Sequence, residues 1–121
     1  MLPPWGLDRS DAREGEDGRY EYHRTGRGVH VFVLDTGLYA AHEDFERVGK
    51  VRTLPLYHLS LNLCLTLSLS QGISTLAGRP WHDCDGHGTH VAGTVAGGRH
   101  GMAKEATVHS VKASLLPRRT R

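Results

Sequence analysis

Three stretches of the chain carry an apolar pattern regular enough to predict structure. Val29 to Leu34 is β-branched, aromatic and mostly apolar, with Gly28 before it and Gly37 after it, and predicts a buried strand that ends at Asp35. From His87 to Gly97, Val91 and Val95 recur at i, i+4, and the small residues Ala92, Gly93, Ala96 and Gly97 would let a helix lie close against a sheet. Gly97-Gly98 supplies its stop. Ala106 to Ala113 alternates and predicts a second strand. A strand, a helix and a further strand in that order imply an α/β fold with a parallel sheet, and Asp35 then falls at the strand end where such folds build their sites.

The rest is less regular. Residues 1 to 27 are polar and broken by Pro3, Pro4, Gly6, Gly15, Gly18 and Gly26. A short helical turn is expected around Leu7 to Arg13 with Asp8 as its cap, an edge strand over Arg19 to His23, and a turn at Gly26-Arg27-Gly28. Ala40 to Phe45 fits one helical turn with His42, Glu43 and Asp44 outward. Residues 52 to 78 look foreign to the rest. From Leu59 to Ser70 leucine alternates with Ser, Asn, Cys and Thr, without a charge or a proline. A period of two reads as a half-buried strand, but so narrow a composition is better described as a low-complexity insert, aggregation-prone where exposed.

A length of 121 residues holds one small domain. Fifteen Lys and Arg against thirteen Asp and Glu leave a net charge of +2, which gives no footprint for nucleic acid. The basic run Arg118, Arg119 and Arg121 reads as a solvated tail. No stretch approaches the roughly 18 apolar residues of a membrane span, and Met1 to Gly6 has neither the basic nor the apolar part of a signal peptide. The two cysteines, Cys64 and Cys84, form no redox or zinc spacing and leave the compartment open.

Candidate chemistry gathers in two places. Asp35 closes the first strand, and His87 opens a glycine-rich helix preceded by Asp83 and Asp85. A neutral imidazole is the natural base for a hydroxyl at neutral pH, a carboxylate on its far side would fix its tautomer, and the positive end of a helix dipole would favour its neutral form. Taken singly, Asp35 can equally be a turn cap and His87 a polar helix start. Asp83, Asp85, His87 and His90 also form a candidate metal module, although His87 and His90 stand at i, i+3 rather than the i, i+4 of paired helical ligands.

The words around these residues carry a resemblance. Gly26-Arg27-Gly28-Val29-His30-Val31-Phe32-Val33-Leu34-Asp35-Thr36-Gly37 resembles the aspartate motif of the subtilisin-like serine proteases (subtilases, peptidase S8), and Asp85-Gly86-His87-Gly88-Thr89-His90-Val91-Ala92-Gly93-Thr94-Val95 their histidine motif. Pro4 to Arg9, His42 to Glu46 and His100 to Lys104 match in the right order, closest to the proteinase K and aqualysin branch, over residues 3 to 50 and 80 to 112. The resemblance implies the N-terminal part of a parallel-sheet subtilase domain, a polypeptide substrate, Asp35 as orienting acid, His87 as general base and His90 as a packing residue. No cofactor is implied for the chemistry. In that branch acids near the N-terminus can bind calcium for stability, which makes Asp8 and Asp11 candidates, but Ala12 stands where a further ligand would be, and solvated surface acids are the preferred reading.

Three departures shape the expectation. The Gly-Thr-Ser-Met-Ala word that bears the family's serine does not occur, so the chain holds two members of a triad and is expected to be inactive alone, with a non-catalytic interaction remnant as the alternative. Residues 52 to 78 replace a shorter polar link, as a translated intron would. After Lys112 the family pattern stops, and with it the cysteine that would pair with Cys84. Val33-Leu34-Asp35-Thr36-Gly37 also resembles the motif of small dimeric aspartic proteases, a reading that requires an all-β chain.

Overall fold

The computed structural model describes residues 2–46 and 72–114. The order of elements is α1 (Trp5–Asp11), β1 (His30–Asp35), α2 (Glu43–Glu46), β2 (Ile73–Ser74), α3 (His87–Ala96) and β3 (Thr107–Lys112). The strands form one parallel sheet in the order β1-β3-β2. Val33 lies opposite Ser110, and Asp35 opposite Lys112. A parallel pair needs a crossover, and α3 lies on the path between β1 and β3. This α/β architecture with a parallel sheet is the expected one, and the all-β chain required by the aspartic-protease reading is not what forms.

Side chains alternate along a strand, so Val31, Val33 and Asp35 share a face with Val108, Ser110 and Lys112. Against Val33 and Val108 on that face pack Ala92 and Ala96 of α3, with Leu38, Phe45 and Ala106 completing the buried cluster. The buried side of α3 is thus its small residues, including Gly88 and Gly93. Val91 and Val95 are only partly covered, because a helix this close to a sheet seats small groups first. Gly97 ends α3, its amide donating to Gly93 O.

Several sequence expectations change. The first strand is half-buried rather than buried: Phe32 and Leu34 point away from α3 and stay exposed, Leu34 at 66 %. The central position belongs to β3, whose residues are nearly all buried, and this explains why strict alternation misjudges it. Asp8 does not cap α1. Pro4 precedes that helix, its carbonyl accepting from the amides of Leu7 and Asp8, and buried Asp8 accepts from the amides of Asp17 and Gly18 at 3.0 and 2.7 Å. Arg19 to His23 form no strand. Tyr20 stacks on Tyr22, and its hydroxyl donates to Met102 O. Asp44 is buried rather than outward. It accepts from the amide of Arg99 at 2.6 Å and pairs with His100 Nδ1 at 3.0 Å, which ties α2 to the loop after α3. Burial opposes its ionisation, but those bonds outweigh it and keep its carboxyl below the usual range.

Most of the 52–78 segment, with its Leu59–Ser70 run, lies outside the described residues, as do Cys64 and the tail from residue 115. Its last residues are in the sheet: Ile73 and Ser74 pair with Val111 and Lys112.

Burial separates two leucines cleanly. Leu38, 1 % exposed, is expected to cost about 2–5 kcal/mol on replacement by alanine, while Leu34→Ala on the open face changes stability by less than about 0.5 kcal/mol. Urea denaturation followed by circular dichroism checks this, and equal losses would mean that the outer face of β1 is covered.

Candidate active site

The topology brings Asp35 and His87 to one place. α3 runs back along the sheet, so its first residue lies at the C-terminal end of the parallel strands. Asp35 is the last residue of β1 on the face that α3 covers. Two glycines permit the approach. Gly37 has φ +114°, and a Cβ there would overlap Trp81 O; a Cβ on Gly88 would overlap Gly37 O. Backbone therefore meets backbone between the β1 turn and both the start of α3 and the loop that precedes it.

His87 Nδ1–H donates to Asp35 Oδ1 at 2.8 Å, and Asp35 Oδ1 also accepts from the amide of Thr36 at 2.7 Å. Burial opposes ionisation of Asp35, but the His87 and Thr36 bonds outweigh it and hold its carboxyl below the ordinary value. The same bond, with the carboxylate's charge, raises the His87 imidazole above its ordinary value; slight burial opposes this, and Asp85 and Asp83 add to it through their charge. The helix dipole alone suggested a shift toward the neutral form. The adjacent carboxylate is nearer and fully charged, and it wins. With Nδ1 engaged and 54 % of the side chain exposed, Nε2 is open to an approaching group. Among the described residues no hydrogen bond joins His87 to Ser10, Ser74, Ser110 or Ser114: Ser10 and Ser74 donate to Leu7 O and Leu76 O, and Ser110 is buried.

The other candidates separate. His90 is exposed rather than packed. Asp85 is exposed, and its Oδ1 accepts from the amide of His87 at 3.3 Å. Cys84 is an exposed free thiol. Asp83 is not a solvated acid but an acceptor of five bonds. Oδ1 takes Thr36 Oγ1–H and the amides of Asp85 and Gly86, while Oδ2 takes the amide and the hydroxyl of Thr89. Burial disfavours its charge, yet these donors hold its carboxyl far below the usual range. Lys112, buried in the central strand, donates Nζ to His82 O at 2.6 Å and so holds the same loop from the sheet side. Sequence reasoning missed Asp83, Lys112 and Asp44. The one available signal was a carboxylate two to six residues ahead of several amides at a helix start.

Asp8 serves the amides of Asp17 and Gly18, Asp11 serves that of Glu21, and among the described residues no group of three His, Cys, Asp or Glu is placed to hold a metal ion. The same holds for the module of Asp83, Asp85, His87 and His90. A groove of about 950 Å³ runs beside α3, lined by Trp5, Tyr39, His90, His100 and Met102 among others, but neither Asp35 nor His87 lines it. Among the described residues no helix is long and apolar enough to cross a membrane.

Comparison with known proteins agrees with this arrangement. The family model of the subtilases matches residues 26–120. An extracellular serine proteinase of Thermus sp. (strain Rt41A) is 41 % identical over 111 residues, which are 89 % of this chain and 22 % of that protein. Subtilisin-like protease 6 of Trichophyton verrucosum (strain HKI 0517) is 35 % identical over 112 residues, 92 % of this chain and 22 % of its own length. The crystal structure of a cold adapted subtilisin-like serine proteinase superposes with a TM-score of 0.70 at 32 % identity, covering 93 % of this chain and 35 % of the other. The chain thus spans about a fifth of the length of these curated relatives. With a parallel sheet, an Asp–His pair where strand end meets helix start, and a match over most of its length, the chain belongs to the subtilase family.

Proposed function

We propose that this chain carries the acid–base half of a serine endopeptidase site acting on polypeptides, with Asp35 as orienting acid and His87 as general base. The observation that carries the reading is the 2.8 Å bond from His87 Nδ1 to Asp35. It leaves the lone pair on Nε2, where a neutral imidazole takes the proton of a serine hydroxyl as the oxygen attacks the peptide carbonyl, then returns it to the leaving amine. Asp35 stays ionised and stabilises the imidazolium between those steps. The nucleophile lies outside this sequence in the reading, so the 121 residues hydrolyse nothing alone. No cofactor enters the chemistry, and any calcium on Asp8 or Asp11 would serve stability only.

A fluorophosphonate probe tests the nucleophile: the chain is expected to remain unlabelled, and labelling at any serine refutes its inactivity. Sequencing the transcript past the codon for Arg121 tests the wider reading. An in-frame Gly-Thr-Ser-Met-Ala word supports an endopeptidase, whereas a stop at that point makes the chain a non-catalytic remnant.

The pair also has a pH signature. Asp35 is depressed, so its contribution to stability is present above the unfolded value of about 3.9 and fades as pH falls through the folded one. His87 is raised, so its contribution is full below about 6.5 and fades as pH rises through the folded value. The stability lost in His87→Ala is therefore greatest between roughly pH 4 and 6.5 and smaller on both sides. Thermal unfolding of both proteins across pH measures this, and a loss independent of pH would mean that the two groups are not coupled.

A further inference from the structure

The two threonines around the dyad are wired reciprocally. Thr36, in the turn after β1, accepts the amide of Gly88 from α3 at 2.9 Å. Thr89, in α3, accepts the amide of Tyr39 from the segment after β1 at 3.0 Å. Each hydroxyl has one proton to give, and both protons go to Asp83, from Thr36 to Oδ1 at 2.9 Å and from Thr89 to Oδ2. The carboxylate thereby fixes the rotor of both hydroxyls and turns each into an acceptor aimed across the gap. The amides of Asp85 and Gly86 on Oδ1, and of Thr89 on Oδ2, fix its own place at the start of the helix.

We propose that Asp83 is a positioning residue for the Asp35–His87 dyad, holding the β1 turn to the first turn of α3 through Thr36 and Thr89. Asp35 and His87 are the immediate neighbours of Thr36 and Gly88, so a slip between the two segments lengthens the dyad's bond directly. The His87 side chain is half-exposed, and one hydrogen bond from an exposed imidazole orders the pair weakly. The clamp lies deeper, and Thr36 is 2 % exposed. All five donors to Asp83 are neutral, and only an ionised carboxylate accepts all five. In Asp83→Asn one oxygen becomes an NH2 that repels either the Thr36, Asp85 and Gly86 donors or the Thr89 pair. This proposal rests on the reading of Asp35 and His87 as a working dyad.

The test is NMR of the His87 ring in the full 121-residue chain, following its titration and its low-field Nδ1–H resonance in Asp35→Asn, Asp83→Asn, Thr36→Val and Thr36→Ser. Asp83 also acts on His87 by charge alone, so Thr36→Val decides the titration, since it cuts one relay with no change of charge. It is expected to lower the His87 pKa by at least about half a unit and to abolish the low-field proton. Thr36→Ser, which keeps the hydroxyl, retains both. A folded Thr36→Val chain with His87 unchanged overturns the proposal. If Thr36→Val fails to fold, Asp83→Asn decides by the low-field proton, which loss of charge alone leaves in place: its disappearance supports the clamp, and its persistence overturns it. Asp35→Asn separates the two levels. If it leaves the His87 titration where it was, the dyad reading fails; if it lowers that pKa while the clamp variants do not, only the role of Asp83 falls.

Discussion

The start of α3 rests on the turn after β1 where Gly88 meets Gly37, and that approach governs the rest of the site. Gly88 and Gly37 permit it, since a methyl group on Gly88 would strike Gly37 O and one on Gly37 would strike the Trp81–Asp83 loop that leads into α3. Once the two segments are in register, the side chains of Asp35 and His87 meet at the open end of the sheet, where the imidazole keeps one face to solvent. The glycine-rich composition of the helix, costly for an isolated helix, is what makes this packing distance possible.

Polar anchoring takes over much of the work that a larger apolar core would do. Among the described residues, the buried apolar cluster is small and built largely from alanine and valine. Three carboxylates, each held below its usual range mainly by neutral donors or histidine against the cost of burial, tie loops to the core: Asp35 at the strand end, Asp83 before α3, and Asp44 in α2, which holds the loop after α3. A charge-assisted hydrogen bond is stronger and more directional than an apolar contact. A carboxylate with several amide donors therefore fixes a loop at a place where a side chain packed by area alone would leave it free to slide. Acid weakens each anchor by protonating its carboxylate, Asp83 last, because its donors hold it lowest.

The sheet explains which apolar residues are covered. β1 has one face under α3 and the other in solvent, so Phe32 and Leu34 remain exposed while Val33 is buried. On that outer face, Phe32 and His30 stack against His109 of β3 and shield its ring. β3, between two strands, is buried at every residue but Val111, Lys112 included. An apolar run in sequence cannot reveal whether one face or both will be covered, since that depends on the strand's place in the sheet.

By itself the sequence determined the elements whose cause is local: the strand ending at Asp35, the helix opening at His87 and stopped at Gly97, the following strand, and through the two motifs the family and its Asp–His pair. Each follows from spacing along a few residues, with glycines where the backbone must approach or turn. Only the tertiary structure decided which face of β1 is exposed, that His90 points outward, that Asp44 and Lys112 are buried anchors, and that Asp83 is a part-buried one. The physical reason is the same for each. A carboxylate is written identically in sequence whether water or five protein donors surround it. Four of the donors to Asp83 stand within six residues of it, but the fifth, the Thr36 hydroxyl, is forty-seven residues away and meets it only when the sheet forms.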